Sequence, residues 1–276
     1  MIQISAILLT KNGEDLIADC LDSVSFCDEI IVIDDKSTDR TVDIATHLGA
    51  KVISYDAPSF AEKRNFGLKK AKGKWVLYID VDERISQELQ GSILHVVDGR
   101  HSGKRSASRI SYDSTDVSDS GQARMTNDIV AYRFQRKNFY FGNHQWPTLE
   151  LLPRLFLKSS LQEWYGDVHE TPIVRGETDD LDGYLLHYTH RDLTSMVAKT
   201  IMWSEVEARL RFNANHPRMS WWRFPRVMTT AFVDSYVKQK GYKAGTVGLI
   251  ESMYQAFSMF ITYARLWEMQ QNSTKK

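Results

Sequence analysis

Trp75-Val76-Leu77-Tyr78-Ile79-Asp80-Val81-Asp82-Glu83 is five apolar residues that stop abruptly in acids. An unbroken apolar run of this length suits a strand buried on both faces. Working outward, Ile30-Ile31-Val32-Ile33 repeats the design, β-branched throughout and ending in Asp34-Asp35, and Ile4 to Leu9 and Lys51 to Tyr55 supply two more strands. Helical spacing fills the gaps. Leu16, Ile17, Cys20, Leu21 and Val24 form one helix. Val42, Ala45 and Leu48, capped by Ser37 or Thr38, form a second that Gly49 stops. Ser59 caps a third through Ala71, ended by Gly73, and a fourth carries Leu89, Ile93, Val96 and Val97. The order β-α-β-α-β-α-β-α predicts an α/β fold with a doubly wound, mostly parallel sheet, whose ligands sit at the carboxyl ends of the strands. Both acidic clusters fall at such ends.

The pattern breaks at His101 to Asp128, which holds seven serines and few large apolar residues. It reads as a long mobile loop, either a lid or disordered. Ala131-Tyr132-Arg133-Phe134 and Arg154-Leu155-Phe156-Leu157 return to strand character in a mixed section of the sheet, with Pro153 demanding an edge position or a bulge. From Thr194 the chain reads as three helices, roughly 194–213, 222–240 and 244–269, punctuated by Pro217, Pro225, Gly241 and Gly245.

Composition narrows the class. The 276 residues are 42% hydrophobic and 25% charged, which describes a globular chain with a sizeable core. Two cysteines, Cys20 and Cys27, exclude a disulfide framework and predict reduced, partly buried thiols of a cytosolic protein. The N-terminus lacks the basic region of a signal peptide and reads as the start of a strand. The longest uncharged stretch near the C-terminus, Ser252 to Ala264, is 13 residues, too short to span a bilayer. The formal net charge is zero, with 35 basic and 35 acidic residues, but this is a cancellation between regions. Residues 1–100 carry a net −5. Residues 209–243 hold eight Lys/Arg against Asp234 alone, interleaved with Trp221, Trp222, Phe224 and Phe232. That pattern suits an anionic membrane surface; a basic face packed on the acidic part of the chain is the plainer reading. Nucleic acid is not expected, because no recognition motif accompanies the charge.

Asp80 and Asp82 lie two residues apart, so in an extended chain both carboxylates point the same way and would hold a hard divalent cation, Mg²⁺ or Mn²⁺. Asp34 and Asp35 are either an acidic turn ahead of a helix or acceptors for ribose hydroxyls and a base N–H. Arg64 and Asn65 would add polar contacts, against the plain reading of a mid-helix Arg on a solvated face.

Four motifs then carry a resemblance. Ile33-Asp34-Asp35-Lys36-Ser37-Thr38-Asp39 resembles the V-D-D-x-S-x-D turn of family 2 glycosyltransferases. Ala61-Glu62-Lys63-Arg64-Asn65-Phe66-Gly67 resembles their A-x-x-R-N-x-G helix, Asp80-Val81-Asp82-Glu83 their D-x-D-E, and Thr10-Lys11-Asn12 their first-strand T-x-N. Trp164-Tyr165-Gly166-Asp167-Val168-His169-Glu170 is similar to the W-x-G-x-V-H-E of the small bacterial enzymes that assemble lipopolysaccharide core and related glycans. His187-Tyr188, Lys240-Gly241-Tyr242-Lys243 and Tyr263-Ala264-Arg265-Leu266-Trp267-Glu268 also match that branch.

The resemblance implies a GT-A fold, Rossmann-like, with a helical C-terminal extension. It divides the chain into a catalytic domain over 1–192 and the extension over 193–276. Within the first, 1–100 would bind the nucleotide-sugar, 101–128 form the mobile loop and 129–192 face the acceptor. The activity implied is an inverting, hexosyltransferase-type transfer from a nucleotide-sugar donor, UDP-linked, to a glycan or lipid-linked glycan acceptor of the cell envelope. A divalent cation would neutralise the departing diphosphate and a carboxylate would serve as general base. The roles implied are Glu170 or else Asp167 as base; Thr10, Asn12, Asp34, Asp35, Arg64 and Asp80 at the donor; and Asp82 and His169 at the metal, His169 alternatively orienting the diphosphate. The place implied is the cytoplasm, peripheral on the inner face of the cytoplasmic membrane. Trp164 reads as packing rather than sugar stacking, His187 and His190 stay open, and His144 is incidental. Two other enzyme or binding readings share the donor site: a polyprenyl-phosphate sugar synthase and a non-catalytic nucleotide-sugar-binding protein. A phospho-receiver module fits poorly, since its acidic pair follows the first strand and here the pair follows the second.

Overall fold

The computed structural model describes residues 2–99, 129–166 and 170–273. The predicted loop 101–128, Asp167 and His169 lie outside the described residues. The chain forms two compact units, residues 1–136 with 150–187, and residues 137–149 with 188–276.

In the first unit the strands are β1 (Ile4–Thr10), β2 (Glu29–Asp34), β3 (Lys51–Ser54), β4 (Trp75–Asp80), β5 (Glu83–Ile85), β6 (Ile129–Tyr140), β7 (His144–Leu157), β8 (Leu161–Tyr165), β9 (Thr171–Val174) and β10 (Glu177–Tyr188). The outer ends of β6 and β7, with the turn joining them, belong to the second unit. Eight strands make one sheet in the order β3-β2-β1-β4-β7-β6-β10-β5, and β8 pairs with β9 in a small hairpin. β1 pairs in parallel with β2 and with β4, and β2 with β3, as the alternating pattern requires. β7 joins β4 antiparallel, with Leu157 opposite Trp75 and Leu155 opposite Leu77. β5, a three-residue strand not foreseen in the sequence, lies antiparallel to β10. Pro153 sits inside central β7 rather than at a sheet edge. It lies two residues beyond the register with β4, where the missing N–H interrupts none of the ladder formed there.

The helices are α1 (Ile17–Ser23), α2 (Thr41–His47), α3 (Phe60–Lys70) and α4 (Gln87–Val97). Burial on both sheet faces sorts the strand residues by parity. Ile4, Ala6 and Leu8 pack with Ile17 and Cys20 of α1 and Leu89 and Ile93 of α4. Ile7, Leu9, Ile31 and Ile33 pack with Ala61 of α3, Tyr78 and Trp164. α3 begins as expected, with Ser59 Oγ accepting from Glu62 N at 3.2 Å. α2 begins differently. Arg40 is its N-cap residue, without a side-chain bond. Ser37 and Thr38 instead tie the turn to Asn12: Asn12 N donates to Ser37 Oγ at 2.8 Å, and Thr38 N donates to Asn12 Oδ1 at 2.8 Å. The motif glycine Gly67 lets α3 settle on β1, because a Cβ there would stand 2.5 Å from Ile7 Cγ2. Cys20 and Cys27 are free and buried, more deeply than expected, and burial raises both thiols well above their ordinary range.

The second unit is helical: α5 (Leu193–Asn213), α6 (Arg223–Val233), a π-helical turn Asp234–Lys238, a 3₁₀ turn Gly241–Ala244, and α7 (Gly245–Ser273). Asp192 and Ser195 form a reciprocal capping box at the start of α5. Gly248 permits the closest approach in the unit, since a Cβ there would meet Gly241 O at 1.8 Å. Among the described residues no helix is long and apolar enough to cross a membrane.

Candidate active site

The acidic run after β4 does not continue extended. Val81 and Asp82 form a turn, closed by Asp80 N donating to Glu83 Oε2 at 3.0 Å. The expectation that Asp80 and Asp82 point the same way is therefore corrected, and the two carboxylates meet different partners. Asp80 is gripped by two buried guanidiniums. Arg64 Nη2 donates to Oδ1 at 3.0 Å and Oδ2 at 3.3 Å, and Arg154 Nη2 donates to Oδ2 at 3.0 Å. Burial pushes the Asp80 carboxyl up, but Arg64 and Arg154 outweigh it and hold it below the usual carboxylate range. Asp82 instead stands 3.3 Å, Oδ2 to Nε2, from His187 near the end of β10.

Glu83, wholly buried, organises the cluster. Its Oε1 accepts from Arg154 Nη2 at 2.6 Å and Arg136 Nη1 at 3.2 Å. Arg136 also pairs with Glu150. Burial lowers the Arg154 pKa, yet Glu83 and Asp80 more than compensate and the net shift is upward.

Arg64 is the centre of the site. The solvated mid-helix reading is overturned, since its side chain is 3% exposed. Its guanidinium lies over the Trp164 ring at 4.9 Å and the Tyr78 ring at 5.7 Å, while Nε donates to Glu170 Oε1 at 3.0 Å. Trp164 is a packing residue, edge-on to Tyr78 at 5.0 Å and Phe156 at 5.6 Å. Asn65 works as a staple. Its Nδ2 donates to Trp164 O and its Oδ1 accepts from Trp164 N, both at 2.8 Å, which fixes β8 against α3. Arg64, Asp80, Arg136, Arg154 and Glu170 open on one cavity of about 560 Å³.

At the ends of β1 and β2, Thr10 is paired in register with Asp34. Asp34 is buried and its Oδ2 accepts from Ser37 N at 3.1 Å. Its Oδ1, and Thr10 Oγ1 beside it in the sheet, are buried without a hydrogen-bond partner. Orphaned polar atoms of this kind fit a ligand that donates and accepts at a strand end. Asp35 turns outward and pairs with Lys63 at 2.9 Å and Lys11 at 3.3 Å. Asn12 holds a left-handed conformation, φ +49°, and the Ser37–Thr38 turn.

The structure thus brings Arg64, Asp80 and Glu170 together and sets Asp82 apart on His187, with Asp34 and Thr10 at the neighbouring strands. Glu83, Arg136, Arg154, His187 and Lys63 were not among the expected site residues. An Arg inside an apolar strand, as in Pro153-Arg154-Leu155-Phe156, was the signal available for one of them. His190 pairs with Glu251 in the helical unit, and His144 Nδ1 lies by Phe141 O on its surface.

Among the described residues no three His, Cys, Asp or Glu side chains converge as a preformed cation site. Octahedral coordination at about 2.1 Å sets adjacent ligand atoms about 3 Å apart, and Asp82 Oδ2 and His187 Nε2 meet that spacing. Asp80 stands between two guanidiniums, whose charge opposes a cation there.

A mostly parallel sheet with carboxylates gathered at the carboxyl ends of its strands places the candidate site at the edge where α/β folds bind ligands. The family model "Glycosyl transferase family 2" matches residues 5–162, and the chain belongs to that family of glycosyltransferases. It is 28% identical to an uncharacterized glycosyltransferase of Rickettsia typhi over 98% of this chain and 88% of that one. It is 21% identical to the lipopolysaccharide core biosynthesis glycosyltransferase LpsC of Rhizobium meliloti over 96% and 92%. Glucosyl-3-phosphoglycerate synthase from Mycobacterium tuberculosis, solved with phosphoglyceric acid, is 20% identical over 78% of this chain and 81% of that one, at a TM-score of 0.45.

Proposed function

We propose that the chain transfers a hexose by single displacement, with inversion, from a UDP-linked donor to a hydroxyl of a cell-envelope glycan. Glu170 is the general base. The observation that carries this reading is that Arg64 joins Glu170 to Asp80 across 90 residues of sequence, in one cavity at the carboxyl end of β4. A base must lie within hydrogen-bond reach of the acceptor hydroxyl, and Glu170 lines the space such an acceptor would fill. Thr10 and Asp34 take the nucleoside through their orphaned oxygens, Arg64 and Asp80 orient the ribose-diphosphate, and Asp35 and Asn12 shape the turn beside it. Asp82 with His187 would hold Mn²⁺ or Mg²⁺, which supplies charge neutralisation at the leaving diphosphate when bound. Asp167 and His169 retain their proposed roles as alternative base and metal ligand.

The test is a product assay with UDP-hexoses and Glu170→Gln. Glutamine keeps an oxygen for Arg64 Nε but cannot take a proton. The expected result is a loss of about 10²–10⁴ in kcat, with the melting temperature and UDP affinity unchanged. A variant within threefold of wild type removes Glu170 from the mechanism. The same assay carries the second reading, polyprenyl-phosphate glycosylation, which four arginines around the cavity favour: Arg64, Arg133, Arg136 and Arg154. Product from polyprenyl phosphate and none from a glycan would select it.

A lipid-linked acceptor also suits the helical unit. Trp221 is 83% and Trp222 45% exposed, within the segment that carries net +7. Interfacial tryptophans among cations suit anionic lipid, at about 1 kcal/mol per basic residue near the surface. The protein is expected to sediment with phosphatidylglycerol vesicles and stay in the supernatant with phosphatidylcholine. Equal partitioning to both would sink the peripheral placement on the inner face of the cytoplasmic membrane.

A further inference from the structure

The helical unit contains a second cavity, about 640 Å³, lined among others by Tyr140, Trp146, Arg223, Arg226, Glu251 and Gln255. Its walls make three distinct chemical demands. Trp146 is 2% exposed, yet its indole Nε1 has no hydrogen-bond partner. An indole N–H can only donate, and a buried one normally finds an acceptor. Arg223 and Arg226 stand three residues apart on α6 and form no ion pair among the described residues; Arg223 lies over the Trp222 ring at 5.3 Å, which leaves its N–H edge, like that of Arg226, for an anion. Glu251, 1% exposed, accepts from His190 Nδ1 at 3.0 Å and Gln255 Nε2 at 2.7 Å. A carboxylate has about four acceptor sites, so Glu251 retains capacity for a hydroxyl donor. The rings of Tyr140 and Trp146, edge-on at 5.0 Å, give the cavity an apolar wall. The π-helical turn Asp234–Lys238 also lines the cavity, with buried Ser235 and with Asp234, whose carboxylate is paired with Lys238 and Gln239, and π-helical turns are frequent at functional sites.

A ligand answering all three demands carries an anionic group for the arginines, hydroxyls for Glu251 and Trp146, and a C–H face for the aromatic wall. We propose that this cavity is a second carbohydrate site that binds an acidic sugar, one bearing a carboxylate or a phosphate. A neutral sugar leaves the arginines unanswered, and a simple anion leaves Glu251 and the aromatic wall unanswered. The choice of a sugar among hydroxylated anions rests on membership of a glycosyltransferase family. The cavity itself lies in the helical unit and uses none of the residues proposed for transfer.

The test is calorimetric titration of the full chain with glucuronic acid, glucose 6-phosphate, glucose, glycerol 3-phosphate and inorganic phosphate. Glucuronic acid and glucose 6-phosphate are expected to bind at least tenfold tighter than glucose, glycerol 3-phosphate or phosphate. An oligosaccharide ending in a uronic acid, binding tighter still than the free monosaccharide, identifies a glycan rather than a free sugar phosphate as the source. The double variant R223Q/R226Q, on exposed to half-buried positions of α6, is expected to lose at least tenfold for the acidic sugars with an unchanged melting curve. Trp146→Phe keeps the ring and removes the N–H, and should weaken binding about threefold or more. Equal binding of phosphate and glucose 6-phosphate overturns the proposal in favour of a bare anion site. Equal binding of glycerol 3-phosphate overturns it in favour of a lipid headgroup. Equal binding of glucose, no binding of any probe, or an undiminished double variant overturns it outright. UDP titrated in the presence of Mn²⁺ reads the donor site separately, so loss of either binding event is assigned to its own reading.

Discussion

Asp82→Ala is expected to lower kcat/KM for sugar transfer by about 10³-fold, equivalent to about 4 kcal/mol of transition-state stabilisation, with the melting temperature within about 2 °C of wild type. The two halves of that expectation come from different features. Asp82 is a partly exposed turn residue that faces His187, so its truncation leaves the strands and the buried core in place. The chemistry loses much, because Asp82 and His187 are the pair at the candidate active site proposed to hold the cation. Asp80 is a poor substitute, because the Arg64 and Arg154 guanidiniums beside it oppose a cation there. Chelation of the wild-type protein should give a similar loss that added Mn²⁺ reverses, whereas Asp82→Ala should stay impaired at the same Mn²⁺ concentration. A variant that keeps more than a tenth of wild-type activity under those conditions would show that Asp82 is not a required ligand. His187→Ala, tested beside it, should weaken Mn²⁺ dependence in the same direction.

Glu83→Gln is expected to be the most destabilising conservative change in the first unit, by about 3–5 kcal/mol, or about 6–20 °C in melting temperature at 2–4 °C per kcal/mol. Glu83 is fully buried and accepts on both sides: Arg154 and Arg136 at Oε1, the Asp80 N–H at Oε2. An amide placed there has one oxygen, so in either orientation its NH₂ faces a donor. It also removes the charge that neutralises the buried Arg154 and half-buried Arg136 guanidiniums. A melting temperature within 2 °C of wild type would mean the network contributes little. The same network sets an acid limit. The folded Asp80 carboxyl lies below its unfolded value of about 3.9, so its contribution is complete above that pH and is lost as pH falls through the folded value. Thermal midpoints measured from pH 6 to pH 2 should therefore fall in the most acid part of the range, and Asp80→Asn should flatten that fall.

Local chemistry decided much of the molecule. Apolar runs placed β1, β2 and β4, and the acids that follow β2 and β4 marked the carboxyl edge, because a strand buried on both faces is apolar along most of its length. Ser59 was legible because it caps its own neighbours in sequence, whereas the Asp34-Asp35 turn and the R-N-x-G helix were legible as motifs. The three C-terminal helices were legible from periodicity, punctuated by proline and glycine. Short β5 escaped notice, since three residues carry too little pattern.

What sequence could not decide is where long polar side chains end. Arg64 looked like one more cation on a Lys-rich helix. Its burial under Trp164 and its grip on Asp80 and Glu170 depend on β8 and on a carboxylate 106 positions away. Asp80 and Asp82 looked equivalent, and only the Glu83-closed turn and the partners on β7 and β10 separate an arginine-bound carboxylate from one available to a cation. Glu251 and Trp146, distant in sequence and unremarkable in composition, become parts of one cavity only through the packing of the helical unit. The sequence by itself determined the order of elements and the edge of the sheet where chemistry occurs, since both follow from hydrophobic period and local capping. The pairing of charges was left to tertiary structure, because in a low-dielectric interior a side chain's partner is set by which strands and helices converge on it.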